Sequence, residues 1–278
     1  MKKLKFLSFL LSLLVITSTS CKKDNPDDNT GGGNDNPPST KKCYITKITE
    51  DDGSYSQLTY NSNHKIIKVT DFNSNGTPEN SYISFSYNND GTLNVVLIHD
   101  DNNNQGKYVF HYKQSKPDSA YFYDKTGTGW KKEGTFAITM DGNKLSQIII
   151  FAENNGQNYP MQKFSYTYTG DNLTKKETYS MDTTNQQYNL DETMLYENDT
   201  KNNPQHGIGV DFLFLDDNFI SLNNYTKITY KDKNGNVNKG LSYNITYEYN
   251  SNDYPTKKTA KTFDGSETDV ALFTYDCP

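Results

Sequence analysis

The sequence predicts an all-β domain, a long antiparallel meander of repeated hairpins with about 16–18 strands, closed or rolled into a barrel-like single body. Three observations predict it. Large residues alternate with small polar ones in Tyr82-Ile83-Ser84-Phe85-Ser86-Tyr87 and in Phe164-Ser165-Tyr166-Thr167-Tyr168, the period of a strand with one packed face. A pattern of aromatic-x-aromatic, polar turn and aliphatic recurs with anchors at Tyr60, Tyr87, Tyr112, Met140, Tyr168, Tyr196, Tyr249 and Tyr275, with gaps of 27, 25, 28, 28, 28, 53 and 26 residues. Finally, 22 Tyr and 14 Phe carry much of an apolar content of 33%. Disordered chains are poor in aromatics, whereas half-buried strands favour them.

The order of segments follows from local composition. Residues 1–20 read as a signal peptide: Lys2, Lys3 and Lys5 precede an apolar run over 6–16 and the small residues Thr17-Ser18-Thr19-Ser20. That run is too short to cross a bilayer as a helix but suits a signal h-region. Cys21 follows at once and is the expected site of lipid attachment. The alternative is an ordinary secretory signal with an incidental cysteine, since Ser18 stands where lipoboxes usually have Leu. Residues 21–42 form a flexible tether, because 25–40 (NPDDNTGGGNDNPPST) contains no large apolar side chain to bury. Residues 43–278 form the hairpin domain.

Each unit of about 27 residues is two strands and two turns. Turn chemistry sits between the strands at Asn88-Asn89-Asp90-Gly91, Asp141-Gly142-Asn143, Gly170-Asp171-Asn172 and Lys233-Asn234-Gly235-Asn236, residues that reach positive φ cheaply. The aliphatics Ile66, Leu93, Leu145 and Leu173 recur in register after the turns. Residues 202–215 (NNPQHGIGVDFLFL) break the rhythm; a plug, a short helix or a buried loop each accounts for them. A long open meander would leave two exposed edges, which favours closure. Cys43 and Cys277 are the two thiols left after Cys21. In an oxidising envelope they pair and tie the first strand to the last; two buried free thiols are the other reading.

Charge narrows the function classes. The chain is at −6, and loss of Lys2, Lys3 and Lys5 takes it to −9; all 28 basic residues are Lys. An acidic chain without Arg is a poor nucleic-acid binder. Strands such as Tyr225-Thr226-Lys227-Ile228-Thr229-Tyr230 mix Lys and Thr with the rings, which does not suit a lipid-facing barrel wall. His64, His99, His111 and His206 show no metal-ligand spacing, and no catalytic motif is present, so no cofactor, metal or catalytic residue is expected. Asp232-Lys233-Asn234-Gly235-Asn236 echoes a calcium loop without its spacing or final Glu and is read as a turn. Asp51-Asp52 and Asp216-Asp217 are adjacent loop acids, not carboxylates held across a cleft. Trp130, in a Gly-rich stretch, is the weak candidate for stacking on a sugar, against packing on a neighbouring strand.

The lipobox, the Lys-then-acidic tract after Cys21, the repeated Tyr-x-Tyr-turn-Leu hairpins, NNPQHGIGVDFLF (202–214) and YEYNSNDYPTKKT (247–259) resemble a Bacteroidetes lipoprotein family of unknown function with a porin-like β-barrel fold. More distantly, the units resemble the YD repeats of Rhs-type proteins. The resemblance implies an outer-membrane lipoprotein facing the cell exterior, with the periplasmic face as the alternative, and it brings no site residues. The expected function is a non-enzymatic binding or presentation module, with a glycan or an outer-membrane protein as partner. A polysaccharide hydrolase and a purely structural envelope protein are the rivals.

Overall fold

The computed structural model describes residues 42–100, 104–210 and 217–277. Cys21, the signal peptide and most of the tether lie outside the described residues. Sixteen strands follow in chain order: β1 Tyr44–Glu50, β2 Tyr55–Tyr60, β3 Ile66–Phe72, β4 Pro78–Tyr87, β5 Leu93–His99, β6 Gln105–Lys113, β7 Lys116–Thr126 and β8 Gly129–Asp141. They continue as β9 Lys144–Asn154, β10 Gln157–Thr169, β11 Asn172–Asp182, β12 Gln187–Asn202, β13 Asn223–Asp232, β14 Tyr243–Tyr249, β15 Pro255–Thr262 and β16 Thr268–Asp276. Every strand pairs antiparallel with its sequence neighbours, and β1 pairs with β16 to close the barrel. The predicted closed meander is the observed fold.

Closure is made by Tyr44 opposite Asp276 through Glu50 opposite Ala271. A disulfide joins Cys43 to Cys277 just beyond this seam. It encloses a separation of 234 residues, for which chain entropy alone gives about 5 kcal/mol.

The repeat has a structural meaning that spacing alone does not reveal. Five of the seven anchor tyrosines donate their hydroxyl to the main-chain carbonyl at the start of the strand before their own, while Tyr196 and Tyr249 donate to the Asp217 and Asp199 carboxylates. Tyr60 bonds Ile45 (2.8 Å), Tyr87 bonds Ile66 (2.7 Å), Tyr112 bonds Leu93 (2.7 Å), Tyr168 bonds Leu145 (2.9 Å) and Tyr275 bonds Pro255 (2.6 Å). A register shift falls at the anchor itself, between Thr59 and Tyr60, Ser86 and Tyr87, His111 and Tyr112, Thr139 and Met140, Thr167 and Tyr168, and Glu248 and Tyr249. Such bulges increase local twist and bend the strand, which is what a closing sheet needs. After each bulge, residues three apart share the inner face. Ile66 and Val69, Leu93 and Val96, and Leu145 and Ile148 are all buried in the core.

A ring of sixteen strands is wide enough for an aqueous channel, but this interior is filled. Ile45, Val96, Ala120, Ile148 and Leu173 are all at 0% exposure, so no water column reaches them. The chain between β12 and β13 helps to fill it. Ile208, Val210, Phe219 and Ile220 join the core cluster, the last two from a short 3-10 turn at Asp217–Ile220. This segment crosses the end that holds the disulfide. The Ile66 amide donates to Ile208 (3.1 Å), the Leu222 amide to Asp171 (3.2 Å), and Lys42 Nζ to the Gly207 carbonyl (2.7 Å). Gly209, at φ +98, passes with the position of a Cβ only 3.2 Å from the Tyr87 hydroxyl, which suits a residue without one.

Two expectations are corrected here. Residues 197–202 do not turn after Tyr196, because β12 runs on to Asn202. Asp199 explains this: its carboxylate accepts from the Lys201 amide (2.9 Å) in a local Asx bend and also from the Asn224 amide (3.2 Å) and the Tyr249 hydroxyl, which hold the irregular stretch between Asn198 and Asn202 against β13 and β14. The rings also do not all line the interior. Tyr82, Tyr121, Tyr123 and Tyr179 pair with outward residues and lie on the outer wall.

Tyr112→Phe removes one hydroxyl–carbonyl bond and should cost about 1 kcal/mol. Thermal unfolding should show a midpoint lower by roughly 2–4 °C, while Tyr121→Phe on the outer wall leaves it unchanged.

Candidate functional site

The meander places all turns on one of two ends. The disulfide, Lys42 and the described parts of the segment between β12 and β13, residues 203–210 and 217–222, share one end, here the plugged end. The turns after β1, β3, β5, β7, β9, β11, β13 and β15 form the other, open end. Inward side chains become wetter toward the open end. Tyr108, Phe122, Ile150, Phe164 and Met194 are only partly buried around the core, and Tyr159 at the open rim is 47% exposed. The body is a cup, closed at the tether side and open opposite.

Its wall is not uniform. Where other units bury Val69, Val96 and Ile148, two units carry Lys176, three residues after Leu173, and Lys258, three residues after Pro255. Each lysine organises a polar cluster inside an otherwise apolar barrel. Lys176 Nζ lies 3.0 Å from both carboxylate oxygens of Asp217 in the crossing segment. Asp217 also accepts from the Tyr196 hydroxyl (2.5 Å), and its carbonyl accepts from Tyr225 (2.7 Å). A charge pair this enclosed, with side chains 16% and 15% exposed, contributes by being fully hydrogen-bonded. Removing one partner would strand the other charge. Nearer the open end, Glu192 accepts from Thr178 (3.0 Å) and from Tyr230.

Lys258 faces Glu50 and Asp269 across β1, β16 and β15. Burial pushes the Glu50 carboxyl up to about 7; Lys258 opposes this, and Asp269, Asp51 and Asp52 reinforce it. Asp269 is raised for the same reason, with Lys258 opposing and Asp51 reinforcing. Asp71 completes this side as a buried carboxylate that accepts from Ser56 (2.6 Å) and Ser81 (3.4 Å). Neither lysine was picked out by reading for motifs. Aligning the units on the aliphatic would have shown both as polar residues in a core register.

The residues singled out in the sequence fall as follows. Trp130 is not in a loop: it is the second residue of β8, opposite Lys125, with the tip at Gly127-Thr128. It is 37% exposed on the outer wall, with Lys107 Nζ 4.3 Å from its ring centroid. His64 occupies a turn at φ 55 and stacks on Tyr44. His99 stacks on Tyr82 and lies 2.8 Å from the Asn80 carbonyl. His111 packs on Tyr121, and His206 begins the crossing segment. Asp232 accepts from the Asn234 and Asn236 amides, each at 2.9 Å, and so closes its own hairpin. Among the described residues no group of three or more His, Cys, Asp or Glu is placed to hold a metal. A shallow hollow of about 400 Å³ between the β8–β9 and β10–β11 turns is lined by Asp141, Lys144, Ser146 and Tyr168. Lys144 already spans it to Gly170 and Asp171.

The outer wall carries Lys163, Lys175, Lys227 and Lys257 in mid-strand, opposite Tyr179, Leu195, Glu197 and Glu248. Each such charge on a lipid face would cost roughly 2–4 kcal/mol at mid-bilayer. Such a wall is poorly suited to a lipid contact.

Glu50 provides a test of the cup's interior. Its folded pKa lies above the unfolded 4.5, so the native state binds the extra proton between the two values. Stability should therefore fall as pH rises from about 4.5 to about 7, by on the order of 2–3 kcal/mol. Glu50→Gln should flatten that slope and raise the melting temperature at mildly alkaline pH only. An unchanged pH profile would contradict this account.

The fold has counterparts among solved structures. A porin-like protein from Bacteroides uniformis aligns over 86% of this chain and 99% of its own, with 12% identity and a TM-score of 0.52. A porin-like protein from Bacteroides vulgatus aligns over 84% and 98%, with 17% identity and a TM-score of 0.49. A DUF3836 family protein from Bacteroides vulgatus aligns over 30% and 87%, with 16% identity and a TM-score of 0.28. No family model and no curated protein matches the chain. At 12% identity the likeness to the Bacteroides uniformis porin-like protein is one of fold alone.

Proposed function

We propose that the protein is a cell-envelope lipoprotein acting as a non-enzymatic binding or presentation module, anchored through Cys21 in the outer membrane and facing the cell exterior. The observation that carries this reading is polarity along the barrel axis. Lys42, where the tether enters the barrel, bonds the crossing segment at the plugged end. A tether there turns the open end away from the membrane. Rings and amides at the open end, such as Tyr108, Tyr159 and Gln162, suit contacts with polyols, so a glycan is the favoured partner over an outer-membrane protein. The hydrolase rival rests on Glu50, whose raised pKa beside Asp269 suits a general acid.

A glycan array probed with the intact detergent-solubilised protein tests this, with released reducing ends measured on every bound glycan. The expected result is binding without cleavage. Binding with cleavage that Glu50→Gln abolishes would replace this reading with the hydrolase. Silence across the array would leave a structural envelope protein.

A further inference from the structure

Although the chain is acidic, lysines on its outer wall lie over aromatic rings. Lys47 is 3.7 Å from the Tyr55 centroid, Lys68 is 4.7 Å from Tyr82, and Lys163 is 4.0 Å from Tyr179. The arrangement is densest on three adjacent strands, β6, β7 and β8. Here Lys107 sits 4.3 Å from the Trp130 centroid and 5.3 Å from that of Tyr123, and Lys132 sits 4.2 Å from Tyr121. Register explains the grouping. Lys107 is opposite Tyr123, Tyr123 is opposite Lys132, and Lys125 is opposite Trp130. The register shift between Phe122 and Tyr123 turns Trp130 and Lys132 onto the outer wall together with Tyr121 and Tyr123.

The charges here are unevenly satisfied. Lys132 is paired with Glu153 at 3.2 Å. Lys125 donates to the neutral Gln105 amide oxygen, at 3.0 Å, and has no carboxylate partner among the described residues. Lys107 lies over two rings, those of Tyr123 and Trp130, and has no carboxylate partner among the described residues. Elsewhere on the same wall, Lys227 meets Glu197 and Lys257 meets Glu248, at 2.8 and 2.9 Å, while Lys47, Lys68 and Lys163 lie over single or paired rings without an indole among them. This patch therefore combines an indole that is 37% exposed with two lysines that have no carboxylate partner among the described residues.

We infer that the Trp130 patch is a binding site for an anionic polysaccharide. A pyranose face stacks on Trp130 and Tyr123, and a carboxylate or sulfate of the sugar takes Lys107 and Lys125 as counter-ions. The inference deepens the binding-module reading and rests on it: it names the wall that binds and the class of glycan bound. Strong hydration of lysine and its mobile stem suit a point contact with an anionic group rather than a rigid bidentate clasp. Affinity is then expected to fall steeply with added salt.

Biolayer interferometry with the intact detergent-solubilised protein tests the site on immobilised polygalacturonate, dextran sulfate and neutral dextran, with phosphatidylglycerol vesicles as a further arm. The expected result is salt-sensitive binding to polygalacturonate or dextran sulfate, at least tenfold tighter than to neutral dextran. Lys107→Ala and Trp130→Ala should each weaken it at least fivefold, and Lys257→Ala should leave it unchanged. Lys107→Glu and Trp130→Phe repeat the test with side chains of similar bulk, and the thermal midpoint of every variant shows that it is folded. Equal binding to neutral dextran, binding only to vesicles, or loss no greater for Lys107→Ala than for Lys257→Ala would overturn the inference. Glycan binding on the array that persists unchanged in folded Lys107→Glu and Trp130→Phe would do so while leaving the binding-module reading in place. Absence of binding to any glycan would remove both.

Discussion

Closure of the sheet by β1 against β16 is the constraint on which the rest of the structure depends. A meander of this length left open would carry two rows of unpaired amides and carbonyls. Pairing Tyr44–Glu50 with Ala271–Asp276 removes both edges at once. It also gives the body two distinct ends, because each strand must begin where the previous one stopped. The disulfide and the crossing segment share one of those ends. Without closure there would be no inside for Lys176, Asp217 or Glu50 to occupy, and no separate outer wall for Lys107 and Trp130.

The units are alike in backbone and unlike in the residues they place inside. The hydroxyl–carbonyl bonds of Tyr60, Tyr87, Tyr112, Tyr168 and Tyr275 act as a recurring fastening between consecutive strands, and the bulges at most of the anchors supply curvature. Against this regular frame the exceptions carry the chemistry. Met140 stands where the other anchors have a tyrosine hydroxyl. Lys176 takes an aliphatic register and is matched by Asp217 from the crossing segment, so the plug is held by charge and hydrogen bonds as well as by Phe219 and Ile220. Lys258 takes the same register on the other side and faces Glu50. One arc of the interior is thus aliphatic and the other is titratable.

Much of this was legible in the sequence, and the physical reasons for the remainder are specific. Period-two alternation and the spacing of the tyrosines located the hairpins, because a unit of two strands and two turns has a nearly fixed length. The same alternation could not say which face is inside, because a single bulge exchanges the faces: the extra residue Glu133 in β8 turns Lys132 and Trp130 onto the outer wall. Asn, Asp and Lys after Tyr196 looked like a turn because those residues favour turns; Asp199 also finds partners on the neighbouring strands β13 and β14, which keep the chain extended. Trp130 was named from composition alone, but its strand position and the lysines around it come from cross-strand pairing that no local motif encodes. Lys176 and Lys258 were recoverable from the repeat, because a charged residue in a core register signals a buried partner.

The account stands or falls on closure, and native-state amide hydrogen exchange of β1 and β16 measures it most directly. A sealed barrel predicts that the Ile45, Lys47, Ile48 and Thr49 amides and their partners from Leu272 to Tyr275 are protected to the same degree as those of β9 and β10. Fast exchange at alternate residues along β1 and β16, with β9 and β10 still protected, would show two free edges and contradict the closed barrel.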